Sequence, residues 1–176
     1  MSSSTILPPR LQSLSDWAKQ NLTALITAES NDDFNTAFDQ FVSKHVKKIV
    51  FNDRELTRDE YKQRLLKERH NLVGATINIR NVVEVPRIEK GGETTEASGN
   101  VGLFYDAEYK EGPRHVIPPI EPISDVFTPH EVHSSLNIEV EQDSSVRGPV
   151  FEERRRVFNL NQVYLEEQFS VEAASS

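Results

Sequence analysis

The feature that most constrains this chain is a change in the spacing of its apolar residues at Gly74. Before Gly74 they recur every three or four residues, which places them on one face of a helix. After it they alternate, as in a strand with one buried side. A chain that switches once from helical stripes to long alternating runs is expected to fold as α+β, with helices packed on a mainly antiparallel sheet.

Leu11, Leu14, Ala18, Leu22 and Leu25, with Trp17 and Ile26 beside them, form the first stripe and predict a helix from Leu11. Ser30-Asn31-Asp32 supplies capping oxygens for a second helix, whose stripe is Phe34, Ala37, Phe38, Phe41 and Val42. Val46 to Phe51 reads as a brief strand, and Asn52-Asp53 as a turn. Thr57 and Glu60 have capping-box spacing, so a third helix is expected from Thr57, through Tyr61, Leu65, Leu66 and Leu72, to Gly74.

Beyond Gly74, Ala75, Ile77, Ile79, Val83 and Val85 share one parity, with Pro86 ending the ladder or marking an edge. Arg87 to Ser98 reads as a hairpin loop, and Val101, Leu103, Tyr105, Ala107 and Tyr109 as the buried side of a second strand. The proline-rich stretch from Glu111 to Pro129 cannot be a central strand and is expected to be a long loop. Val132, Leu136, Ile138 and Val140 mark a third strand, with His133, Asn137, Glu139 and Glu141 opposite. In the fourth, Phe151 to Leu165, apolar parity slips from Phe158 and Leu160 to Val163 and Leu165, so a bulge is expected near Asn161. Thr76, Asn78, Arg80, Glu84, Asn137, Glu139 and Glu141 would then make the outer sheet face polar. One domain over residues 11–166 is expected, between a flexible segment at 1–10 and a disordered tail at 167–176.

Composition narrows the function classes. The 28 acidic against 20 basic side chains give a formal charge of −8, which repels phosphate backbones and anionic membranes. The absence of cysteine excludes disulfides, thiolate metal sites and cysteine nucleophiles. Neither a secretory pattern nor a run of ~20 apolar residues occurs, so cytoplasmic residence is the expectation. With no phosphate loop, dinucleotide fingerprint or nucleophile elbow, no cofactor is expected.

The element order resembles the nuclear transport factor 2-like superfamily, the cone fold shared by ketosteroid isomerases and polyketide-cyclase-like proteins. The resemblance spans roughly residues 11 to 166. It is carried by Phe34 to Val42, by Ile49-Val50-Phe51-Asn52-Asp53 leading into Leu56-Thr57-Arg58-Asp59-Glu60-Tyr61, and by Val82-Val83-Glu84-Val85, Gly99-Asn100-Val101-Gly102-Leu103 and Arg156-Val157-Phe158-Asn159-Leu160. It implies three N-terminal helices packed on a strongly curved sheet, a cone-shaped α+β barrel with an apolar pocket at its open end, and frequent homodimers. It does not imply one function.

Asp53 occupies a place similar to that of the general-base aspartate of ketosteroid isomerases, and an Asp beside an apolar cavity can move a proton next to a carbonyl. The competing reading is that Asn52-Asp53 simply makes the turn. No tyrosine lies on the first two helices to serve as oxyanion donor, leaving Tyr61, Tyr105 and Tyr109 as substitutes. Asn81 shares parity with Ile79 and Val83, so it either points into the pocket or is turned outward by a bulge. Trp17, Phe38, Phe41, Tyr61, Tyr105 and Tyr109 would line a site for a flat apolar ligand or simply fill a core. His130 and His133 fall on opposite faces of a strand, so no metal site is expected. Arg154-Arg155-Arg156 is read as pairing with Glu139 and Glu141. The leading functional reading is a domain binding a small apolar ligand. Its rivals are a cofactor-free isomerase, dehydratase or cyclase using Asp53, and a dimeric adaptor.

Overall fold

The computed structural model describes residues 11–69, 72–89, 91–111, 129–147 and 153–168. The elements run α1 (Leu14–Ile26), α2 (Asn31–Phe41), β1 (Lys48–Phe51), β2 (Arg54–Leu56), α3 (Arg58–Glu68), β3 (Leu72–Ile88), β4 (Thr94–Glu111), β5 (Pro129–Gln142) and β6 (Arg155–Gln168). The segment 1–10, the proline-rich stretch between β4 and β5, and the tail beyond Gln168 lie outside the described residues.

Helix starts follow their caps. The Ser13 hydroxyl accepts from the Asp16 amide at 3.0 Å and sets the start of α1, so Leu11 stays 42% exposed ahead of the helix instead of opening it. Ser30 does the same for α2 through Asp33, and Thr57 with Glu60 makes the expected capping box on α3. The end of α3 departs from expectation. It stops at Glu68, and Leu72 already pairs with β4, so the change of period comes more than one helical turn before Gly74. Arg69 fixes this end by donating through Nη1 to the Ile26 carbonyl at 2.8 Å, and through Nη2 to the Ala28 carbonyl, at the foot of α1.

The sheet has the order β2-β1-β6-β5-β4-β3, parallel only between β1 and β6. It is open, because β2 and β3 are its two edges, and the expected barrel closure does not form. The short β2 follows a two-residue turn in which Asn52 and Asp53 take φ of 46° and 62°, the left-handed pair a tight hairpin demands. The β3–β4 hairpin turns over Glu89 to Glu93, well inside the loop expected from Arg87 to Ser98. A register shift between Pro86 and Arg87 takes up Glu96 to Ser98 as extra residues on β4. Gly99 is obligatory beside that shift: a methyl group would collide with the Val85 carbonyl, with Leu14 Cδ1 at 2.7 Å and with Pro86 Cα at 2.8 Å.

Two bulges decide which residues face the helices. In β3 the register shifts between Ile79 and Asn81, leaving Arg80 unpaired. Ala75, Ile77 and Ile79 face inward as expected. Beyond the bulge Val82 and Glu84 take the inner side, while Val83 and Val85 emerge 63% and 65% exposed. An inward Glu84 is tolerated because its carboxylate accepts from the Ser15 amide in the first turn of α1. In β6 the extra residue is Phe158, not Asn161. Its ring is sheltered by the Lys47 ammonium 5.4 Å from its centroid, and the inner side continues as Leu160, Gln162 and Tyr164. Val163 and Leu165 therefore point outward.

The core lies between this inner face and the helices. Leu103, Leu136 and Val140 from the sheet meet Leu14, Trp17, Phe34, Phe38 and Phe41, all essentially fully buried. Each such side chain contributes about 1.5–3 kcal/mol by burial. No helix among the described residues is long and apolar enough to cross a membrane.

Candidate functional site

The six aromatic residues expected to line a pocket are all buried in one core, no more than 5% exposed. Trp17 lies against Phe41 at 5.8 Å between ring centroids, and Phe38 against Tyr61 at 6.1 Å. Tyr61 donates to Gln162 Oε1 at 2.7 Å. The Gln162 amide then donates to the Tyr105 hydroxyl at 2.9 Å and to Ser134 at 3.0 Å, and Ser134 donates to the Val163 carbonyl at 3.1 Å. Burial pushes Tyr61 well up and Tyr105 up to about 12, so both phenols stay neutral. The hollow beside them, bordered by Leu22, Phe34, Tyr61, Leu65, Arg69 and Tyr109, is about 20 Å³. That is room for about one water molecule.

Asp53 and Asn81 sit elsewhere. Asp53 is exposed at the tip of the β1–β2 hairpin, apart from the side-chain hydrogen-bond network centred on Gln162. Its neighbour Asn52 does structural work, exchanging side-chain hydrogen bonds of 2.8 and 2.7 Å with the backbone of Tyr164. Asn81 is exposed, and its side chain accepts from the Val82 amide at 2.8 Å beside the bulge. Nor do the arginines pair as expected. Arg155 is 1% exposed and grips Glu153 at 2.7 and 3.0 Å, with further bonds to the Gln12 and Glu96 carbonyls. Arg156 binds the Asp39 carbonyl at 3.0 Å. Glu139 and Glu141 pair instead with Arg87 at 2.8 and 3.3 Å, and Glu141 also with Lys47 at 3.1 Å.

Open space lies outside this core, in a groove of about 740 Å³ between α3 and the β1–β2 hairpin, bordered by Phe51, Asn52, Arg54, Leu56 and Arg64, and in a second groove on the other side of the sheet. The second, of about 570 Å³, runs over the outer face, bordered by Val83, Val85, Asn100, Asn137, Asn159 and Asn161. Strand pairing sets these in rows, Val85–Asn100–Glu139–Asn159 beside Val83–Gly102–Asn137–Asn161. Next come Phe104, 58% exposed, and Val163, 62% exposed, opposite either side of Ser135, and then Leu165 opposite His133. The face expected to be polar keeps Arg80, Asn137, Glu139 and Glu141 but also carries a run of exposed apolar side chains among its amides and ion pairs. The alternation rule missed it because the β3 bulge reversed parity and because Val163 and Leu165 looked like core residues displaced by a slip.

Two groups of ligating side chains also come together, neither evident in the sequence. Glu68, His130 and Glu166 bring one oxygen or nitrogen each within 4.8 Å of one another, on the inner side of the sheet at the end of α3. Asp106, Glu131 and His133 do so on the outer side, where Asp106 meets His133 at 2.7 Å and also Arg80.

No family model and no curated protein sequence matches this chain. Solved structures do share its shape. The Kfla4162 protein from Kribbella flavida has 10% identity and a TM-score of 0.55 over 86% of this chain and 89% of that one. A chain of the Mtr2–Mex67 M domain complex from C. albicans has 9% identity and a TM-score of 0.51 over 90% and 98%. A putative scytalone dehydratase from Novosphingobium aromaticivorans, at 13% identity over 92% and 84%, reaches a TM-score of 0.48. At such identities the likeness concerns fold alone.

Proposed function

We propose that this chain, whose fold is that of the nuclear transport factor 2-like superfamily, is a binding domain that works through the outer face of its sheet, docking a second protein domain and, in the simplest case, another copy of itself. The observation that carries this reading is the contrast in space. The hollow beside Tyr61 and Tyr109 holds about 20 Å³, whereas the outer groove of about 570 Å³ is flanked by Val83, Val85, Phe104, Val163 and Leu165, each more than half exposed. Contiguous apolar surface of this kind on a sheet marks a site of association. Asn100, Asn137, Asn159 and Asn161 supply uncharged hydrogen-bonding groups around Glu139, whose charge is paired with Arg87, and Lys48 lies at the β1 side of the groove. The net charge of −8 disfavours an anionic lipid surface as the occupant. A similar fold occurs in a solved protein–protein complex, which agrees with this reading.

The test is sedimentation velocity across micromolar concentrations, comparing the natural chain with a Phe104→Glu, Val163→Glu double variant. Association by the natural chain, abolished in a folded variant, is the expected outcome. A monomer throughout would remove self-pairing.

A second reading, an apolar ligand inside the domain, is favoured by the small hollow under Leu65 and Arg69. It requires that hollow to enlarge more than tenfold to reach the ~300 Å³ of ordinary ligand sites. A ligand retained in native mass spectrometry of freshly purified protein would support it. An isomerase using Asp53 has the least support, since that carboxylate lies at an exposed turn.

A further inference from the structure

We propose that Glu68, His130 and Glu166 form a binding site for a first-row divalent cation of the zinc or manganese class, independent of the outer-face reading. The three donors come from three elements: the last turn of α3, the start of β5 and the end of β6. His130 and Glu166 both point to the inner side of the sheet, Glu166 standing opposite Val132, two residues along β5 from His130, and Glu68 descends on them from the helix. Glu68 and His130 are 9% and 7% exposed, and Glu166 is half-buried.

His130 Nε2 and Glu68 Oε2 are 4.0 Å apart, beyond a hydrogen bond, and all three donor atoms lie within 4.8 Å. Donors sharing a metal at about 2.0–2.2 Å sit roughly 3.3–3.6 Å from each other in a tetrahedral site, so modest side-chain rotation would close the set. The His130 ring is oriented by stacking on Tyr109, with centroids 5.0 Å apart and planes at 22°.

Charge favours the same conclusion. Two carboxylates converge here, with the Arg64 guanidinium, 2.9 Å from Glu68, set against them. A divalent cation would remove that conflict. One imidazole with two carboxylates suits zinc or manganese, whereas calcium and magnesium take oxygen ligands. Three protein donors also leave at least one coordination position open. The outer trio is a poorer candidate, because His133 and Glu131 are 37% and 34% exposed, against 8% for the side chains of His130 and Glu68.

The experiment uses the full chain, stripped with chelator and titrated calorimetrically with zinc, manganese or magnesium chloride, and with cobalt chloride followed by visible absorption. One zinc or manganese ion per chain, a raised Tm and a cobalt absorption band are expected. Glu166→Gln and His130→Gln should each weaken binding about tenfold or more, while His133→Gln should bind as the natural chain does. Should His130→Gln fail to fold, Glu166→Gln decides alone. Absence of saturable binding, binding unchanged by Glu166→Gln, binding lost with His133→Gln, or a preference for magnesium would each overturn the proposal. A carboxylate pair that merely shares a proton would give the first of these results.

Discussion

On the inner face of the sheet Leu103, Leu136 and Leu160 are at most 2% exposed beneath the helices, while on the outer face of the same strands Phe104 and Val163 remain 58% and 62% exposed. Both faces are built by the alternation that any strand imposes, and both carry large apolar residues. What differs is cover: the chain's own helices fill one side, and nothing among the described residues covers the other. An apolar residue on a strand therefore has two roles that spacing cannot separate, and only the placement of the helices assigns it to one.

The comparison can be broken first on the inner side. Leu136→Ala should destabilise the fold by about 2–5 kcal/mol through lost burial and a residual cavity, whereas Val163→Ala should stay within about 0.5 kcal/mol. Paired chemical denaturation curves measure both, and equal losses would mean that the outer face is packed. Next comes the polar centre of the inner face. Tyr61→Phe removes the donor to Gln162 Oε1 and should cost about 1–3 kcal/mol, read as a lower denaturation midpoint. Phe104→Glu sharpens the other side, since it should leave the Tm within a few degrees and abolish association in light scattering. The smallest expected effect is pH-dependent. His133 is pushed up from its ordinary value of 6.5, chiefly by its hydrogen bond to Asp106, with Glu131 and Glu167 adding to the rise. Its stabilising contribution is complete below that ordinary value and is lost as pH rises through the elevated one. His133→Gln should flatten the fall in stability across that window, and an unchanged slope would assign the fall to other groups.

Much of the fold was legible. The Phe34 to Val42 stripe, the Thr57–Glu60 box and the runs Val101 to Tyr109 and Val132 to Val140 each carry one uninterrupted period, and each forms the expected element. The failures sit where a single residue breaks register. Arg80 in β3 and Phe158 in β6 are extra residues that shift the pattern by one position, and one position exchanges the faces of a strand. Gln162 escaped notice because a polar residue between Leu160 and Val163 does not look like the hub of a buried network. The Glu68, His130 and Glu166 cluster was out of reach for a different reason. Its members come from three distant segments, and only the closing of β5 and β6 against the end of α3 brings them together.

The contrast between a filled inner face and an uncovered outer one is tested most directly by cross-linking, which the lack of native cysteine makes clean. Single substitutions Val83→Cys, Phe104→Cys and Val163→Cys on the outer face would be oxidised mildly beside Gln40→Cys on the exposed side of α2. At least one outer-face variant should form a disulfide-linked dimer rapidly, with Gln40→Cys remaining single chains. Outer-face variants that stay monomeric, or link no faster than Gln40→Cys, would contradict the account.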